Sequence, residues 1–421
     1  MAFSRSIVLT LFSLISFFSN TCYSQTEITV STSSDIEINV SRFTATHKTP
    51  GKYLIIWVAP EYGFRISHRS MAQLLTEQNI EVWQSNIVES LFMPQGSASL
   101  KQLDGNNIAD LIEYAHKTTG KKIIVAGDSY ASVSALMGAH QWQSRKHKSA
   151  YLVGAILFSP YSYAYIPSLG IDPEYMPIIN ATNIPVMIYQ TKGSVSINQF
   201  ENLLEKLQQH NNPVYTKMIP NIISLFYDEN PTEEIKNQIK SLAPNIKKMI
   251  AFLDKKTVPV NPVPLNNRET IKSGIDIDLK KFKGNTEPLV INLLDAHGVQ
   301  FNKNNYKNRV TVVNFWATWC PPCVEEIPSL NRLIQKMKGK PFDLISINYA
   351  EDKQVILDFL KEIDVDYPVL MDQDGSFAKK WNVITYPSTF LIDKNGKIIY
   401  GVNSAIEWDA PEIIDIINAL Y

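Results

Sequence analysis

Apolar and polar residues alternate at Ile28 and Val30 and again at Ile36, Ile38 and Val40, the two-residue period of half-exposed strands. Beyond them, short apolar runs and segments of helical period take turns along the chain. Residues 53–59, 80–84, 122–126, 152–158, 185–190 and 214–219 read as buried strands. Residues 67–78, 105–118, 132–140, 196–209 and 232–253 read as helices. This alternation predicts an α/β domain over 26–254, with a largely parallel sheet covered by helices on both faces.

From residue 255 the pattern stops. Pro259, Pro262 and Pro264 are spaced too closely for helix, and 255–282 is expected to be a stiff, extended linker, with 272–283 a strand or connector before the second unit. A second α/β unit over 283–421 follows. Runs 288–294 and 299–301 flank Asp295-Ala296-His297-Gly298, a hairpin turn. A strand at 310–315 leads into a helix at 321–338, whose apolar positions Val324, Ile327, Leu330, Leu333, Ile334 and Met337 recur at helical spacing. Strand 342–348, helix 353–363, the run 367–370, strands 389–392 and 398–402, and helix 410–420 complete it. Asp372-Gln373-Asp374-Gly375 reads as a turn, since no Glu follows at the distance a calcium loop needs.

Composition narrows the choices. A chain of 421 residues has room for two or three domains, and 40 basic against 41 acidic residues leave no basic stripe, so a nucleic-acid partner is not expected. Residues 1–24 carry Arg5, an apolar run from Ile7 to Phe18 and then polar residues, which reads as a secretory signal cleaved near Ser24. The run is short for a bilayer, and no stable membrane span is expected after cleavage. Cleavage would remove Cys22 and leave only Cys320 and Cys323 of the three cysteines. In an oxidising compartment, a periplasm or an equivalent extracytoplasmic space, two cysteines spaced as one pair favour a working redox couple over a staple.

The pair stands in Asn314-Phe315-Trp316-Ala317-Thr318-Trp319-Cys320-Pro321-Pro322-Cys323, where the expected strand gives way to the expected helix. A thiol there meets unpaired backbone N–H groups and the positive end of the helix dipole, which lower its pKa. Cys320 is therefore the expected attacking thiolate, and Cys323, one turn on and more buried, the resolving thiol. A zinc site is excluded by ligand count: there is no second cysteine pair, and His297 lies far upstream. No metal and no cofactor is expected.

This stretch resembles the TlpA/ResA-like thioredoxin-fold thiol-disulfide oxidoreductases, and the likeness runs over about 283–421. It continues through Glu326 and Pro328, the Tyr386-Pro387-Ser388-Thr389-Phe390 stretch and Glu407-Trp408-Asp409. The resemblance implies a thioredoxin-like sandwich and a cis bond before Pro387. It also implies a half-buried Glu326 that deprotonates Cys323, in place of the buried Asp that ordinary thioredoxins carry where this chain has Asn314. Trp319, Pro321, Pro322, Tyr386 and Pro387 are the candidate client contacts. Reduction of client thiol-disulfides, with electrons supplied by a membrane thiol reductase, is the implied direction.

The first unit has its own candidate. Strand 122–126 runs into Gly127-Asp128-Ser129-Tyr130-Ala131 and a small-residue helix, nearly a nucleophile elbow, and the order of elements resembles an α/β-hydrolase-like domain. A serine needs a base and an acid. The stretch after Gln190 carries no carboxylate, and no histidine occurs between His210 and His297; His47, His68, His116, His140 and His147 are out of the expected order. Ser129 is thus expected to be a vestigial nucleophile in a domain without a complete triad, and Tyr161, Tyr163, Tyr165 and Tyr175 to be packing residues. Two alternatives stay open: a serine hydrolase or esterase with a redox regulatory domain, and a client-binding scaffold.

Overall fold

The computed structural model describes residues 23–45, 47–145, 151–220, 222–227, 230–265 and 279–421. Residues 1–22 of the expected signal and His147 lie outside the described residues, as does most of the second half of the linker. The first sheet comprises β1 (Tyr23–Ser31), β2 (Glu37–Ala45), β3 (Tyr53–Val58), β4 (Ile80–Ser85), β5 (Lys122–Asp128), β6 (Leu152–Phe158), β7 (Val186–Thr191) and β8 (Val214–Ile219). They lie in the order β1-β2-β4-β3-β5-β6-β7-β8. Strand β2 is antiparallel to both its neighbours, and β3 to β8 are mutually parallel. The expected cleavage near Ser24 falls inside β1, where Ser24 pairs with Thr44.

The strand period sorts the apolar side chains between two cores. Leu54, Ile56, Val58, Ile123 and Val125 pack with the helices Asn106–Thr119 and Ala131–Ser144 on one face. Their chain neighbours Ile55, Trp57, Ile124 and Ala126 pack with Ile66–Glu77 and Glu233–Leu253 on the other. Continuous runs of Ile and Val suit strands buried on both faces.

The second sheet contains β9 (Lys280–Lys281), β12 (Val310–Trp316), β13 (Phe342–Tyr349), β14 (Val369–Asp372), β15 (Ser388–Ile392) and β16 (Ile398–Val402), in the order β14-β13-β12-β15-β16-β9. Strand β12 is parallel to β13 and antiparallel to β15. Strands β10 (Ile291–Leu294) and β11 (Gln300–Lys303) form the expected hairpin. Val310, Val312 and Leu391 pack against Leu330 and Leu333 of the helix Pro321–Lys336 and against Ile413 and Ile417 near the C-terminus.

Residues 255–265 of the linker lie along the first core: Val258, Val263 and Leu265 pack on it, and the carbonyls of Pro259, Asn261 and Val263 bond to Gln143, Asn183 and His140. Val258 and Val263 give the segment a face to bury, whereas Val260 stays exposed. The second sheet takes in Lys280 and Lys281, within the stretch 272–283 read as a strand or connector. The helix expected over 196–209 starts as a 3-10 turn, Val195–Gln199, before Phe200–Leu207. The short helices Ile87–Ser90, Ser97–Gln102, Pro177–Ala181 and Ser376–Lys380 were not anticipated, because too few residues repeat to show a period.

The two sheets share a core. Leu169 and Val195 of the first unit belong to the cluster that includes Val313, Phe315, Ile345, Ile347 and Phe390 of the second. Polar bonds frame this contact: Tyr161 Oη donates to the Ile384 carbonyl (2.6 Å), Asn198 Nδ2 to that of Val383 (2.7 Å), and Asn403 Nδ2 to that of Pro167 (2.8 Å).

Candidate functional site

Strand β12 ends at Trp316, and the helix begins at Pro321, a residue whose missing N–H costs nothing in a first turn. Cys320 is the N-cap. Its Sγ accepts the Cys323 N–H at 3.3 Å, so the sulfur takes one of the orphan donors of the helix start. Cys320 and Cys323 are joined as a disulfide, with a Cα–Cα separation of 5.3 Å. Both are buried, Cys320 retaining 5% exposure and Cys323 1%. The preceding loop is tied down by Glu351, which accepts the Thr318 N–H (2.7 Å), the Thr318 hydroxyl and Asn348 Nδ2 (2.7 Å). Glu351 was missed in the sequence, where it stands 31 residues downstream with no spacing that links it to the pair.

Glu326 lies one turn beyond Cys323 on the same helix face, 3% exposed. One carboxyl oxygen accepts from Asn314 Nδ2 (2.8 Å), the other from Trp408 Nε1 (3.0 Å). Burial pushes its pKa up to about 8, against the opposing pull of those two donors. A carboxyl so placed is largely protonated at neutral pH and able to exchange a proton as the surroundings change. Asn314 also donates to Thr389 Oγ1 (2.9 Å), which fixes its amide with the nitrogen toward Glu326.

The remaining candidates divide. Pro321 and Pro322 are exposed, whereas Pro387 is buried after a cis Tyr386–Pro387 peptide. Trp319 is half-buried and meets Tyr386 edge-on, ring centres 6.0 Å apart; Tyr386 in turn lies against Tyr349 at 4.9 Å. Trp319 has a further neighbour from the first unit, Tyr227, at 6.3 Å. The packing expected of the tyrosines is present between Tyr161, Tyr163 and Tyr175, and it extends across to the second unit through Tyr161.

Ser129 does not join this group of residues. It sits between β5 and the helix Ala131–Ser144 at φ +49°. The bend is so tight that a Cβ on Gly127 would lie 2.5 Å from the Ala131 carbonyl, which is why a glycine stands there. Its hydroxyl donates to Glu61 Oε1 at 2.6 Å, and the Tyr130 N–H reaches the same oxygen at 3.2 Å. Burial raises the Glu61 carboxyl to about 7. His68 is engaged elsewhere: its Nδ1 accepts the Arg65 N–H, and its Nε2 faces Asp128 Oδ1 at 3.2 Å. Glu61 as the partner of the serine has no signal in the sequence, because it precedes the elbow by 68 residues with no spacing that links the two.

Residues 261–415 match the Redoxin family. The thiol-disulfide oxidoreductase ResA of Bacillus thuringiensis subsp. konkukian is 37% identical over 105 residues, which cover 25% of this chain and 61% of that protein. The ResA of Bacillus cereus strain ZK is 31% identical over 130 residues, 31% of this chain and 75% of that one. The chain thus spans about 61% of the length of the first of these relatives. Among solved structures, StoA from Bacillus subtilis is 25% identical with a TM-score of 0.28, covering 32% of this chain and 98% of its own. No helix among the described residues is long and apolar enough to cross a membrane.

Proposed function

Since the chain belongs, through its C-terminal part, to the ResA-like thiol-disulfide oxidoreductases, we propose that it is an extracytoplasmic reductase of client disulfides. The observation that carries this reading is the Cys320–Cys323 disulfide at a helix N-terminus, with a buried carboxyl one turn behind it. In the reduced protein the Cys320 thiolate, held by the Cys323 N–H and the helix dipole, attacks one sulfur of a client disulfide. A Cys320–client bond forms, the client S–S bond breaks, and one client thiolate leaves. Glu326, in its carboxylate form, takes the Cys323 proton; Cys323 then attacks Cys320 Sγ and the second client thiolate departs. Two electrons pass to the client, and the chain is left in the oxidised state described above. A membrane thiol reductase would return it to the dithiol.

The domain reading belongs with this proposal: a signal over 1–24, an α/β-hydrolase-like domain over 26–254, a linker over 255–282 and a thioredoxin-like domain over 283–421. The β1-β2-β4-β3-β5-β6-β7-β8 order and the left-handed Ser129 support the second of these. Ser129 is proposed as vestigial, because Glu61 occupies both its hydroxyl and the Tyr130 N–H that would otherwise serve an oxyanion.

The test is trapping. Cys323→Ser should accumulate client proteins joined through Cys320, and Cys320→Ser should trap none. The wild-type couple should have a potential nearer thioredoxin, about −270 mV, than the strong oxidant DsbA, about −120 mV. A potential near the latter would reverse the direction assigned here.

A further inference from the structure

Cys320 retains only 5% of its surface, so a client sulfur reaches it through a narrow opening. Trp319, the residue before Cys320, meets a ring of the other unit. Tyr227 stands 6.3 Å from Trp319, ring edge to ring face, and keeps 44% of its surface exposed. Tyr62 is 62% exposed, and its loop is brought to that of Tyr227 by Phe64 and Phe226, whose rings both pack on His68 at 5.4 and 4.5 Å. Neither ring is spent on a core. Large aromatics left half in water beside a reactive group, on a scaffold that holds them still, are the usual chemistry of a polypeptide-binding edge. The scaffold is held by the shared core at Leu169 and Val195 and by the Tyr161, Asn198 and Asn403 hydrogen bonds.

Resting on the redox reading above, the geometry points to Tyr62 and Tyr227 as client-binding residues that, with Trp319, form an aromatic ledge seating the extended, apolar segment that flanks a client disulfide. The occupant follows from the shape of the approach. A sulfur must come in line with Cys320, so the residues on either side of a client cysteine are laid across what stands beside it, and here that includes the rings of Trp319 and Tyr227. A small disulfide has no flanking residues and makes no use of the ledge. The first unit is thereby a selector of substrates, and it acts through binding, with no part in the electron transfer.

The experiment uses the full chain and two disulfides: a synthetic looped peptide with Phe and Leu beside its cysteines, and hydroxyethyl disulfide. Tyr62→Ala with Tyr227→Ala should lower kcat/KM for the peptide about ten-fold, chiefly through KM, as the loss of two aromatic contacts implies. Hydroxyethyl disulfide should change by less than about two-fold, the usual size of effects remote from a contact. Tyr62→Phe with Tyr227→Phe keeps the rings and should restore peptide turnover. Unchanged peptide turnover in the alanine variant overturns the ledge, as does an equal fall for both substrates or a phenylalanine variant that stays slow. Should the wild-type protein reduce neither disulfide, the redox reading itself fails and takes the ledge with it, an outcome distinct from the others.

Discussion

Glu326 and Glu61 are both carboxyls raised by burial, yet their neighbours set them different tasks. Glu326 has two fixed donors, Asn314 and Trp408, and lies behind the resolving cysteine. Replacing it with Gln removes the proton acceptor while keeping the volume. Release of the mixed disulfide should slow on the order of 10²-fold, a typical worth for a positioned base. The rise of that step with pH toward about 8 should flatten. A rapid-quench measurement of the mixed-disulfide lifetime against pH checks this. Glu61, by contrast, holds Ser129 and the Tyr130 N–H together. The chain should turn over no simple ester, and a fluorophosphonate should leave Ser129 unlabelled, as read by mass spectrometry; ester turnover abolished in Ser129→Ala would restore the hydrolase alternative. The cysteines and Ser129 were visible as sequence because each sits in a short, contiguous motif. Their partners Glu351 and Glu61 were not, since a hydrogen bond between distant residues leaves no spacing to read.

At the scale of elements, most strands and long helices lie where the period placed them, with ends moved by a few residues; β5 continues from the expected Ala126 to Asp128. The elbow between β5 and its helix depends on one missing side chain. Gly127→Ala drives a Cβ against the backbone of Ala131 at 2.5 Å, and backbone cannot swing aside as a side chain can. The cost should be about 2–4 kcal/mol, in the range of overpacked or strained sites. Urea unfolding measures it, with an unchanged m-value expected if only the folded state is affected.

For the whole molecule, the joint matters most. Leu169 reaches from the first unit into the core of the second, where Gly401 leaves room for it. Leu169→Ala should therefore destabilise by about 2–5 kcal/mol, as for other buried leucines. It should also split a single thermal transition into two, because the lost contact couples the units; calorimetry reads both. Stability should also depend on pH. Glu61 and Glu326 have folded pKa values of about 7 and 8 against 4.5 unfolded, and Asp372 about 6 against 3.8. In this window the folded chain binds more protons than the unfolded one. Stability contributed by these groups is full below about pH 4 and is lost as pH rises through about 6 to 8. Glu326→Gln should make the decline between pH 5 and 8 shallower, by on the order of 1–4 kcal/mol across the window.

What the sequence determined by itself was local: the alternation of strands and helices, the cysteine pair at a strand-to-helix junction with the flanks that mark its family, and a serine in an elbow-like turn. Each follows from forces acting within a few residues, namely side-chain periodicity, helix-end donors and turn sterics. Tertiary structure alone decided which distant carboxylates meet Ser129 and Thr318, that the proline segment lies along the first core, and that Leu169, Val195 and Tyr161 close the second. These contacts depend on burial of apolar surface that any of several faces could have supplied, and that choice is made only when the whole chain packs.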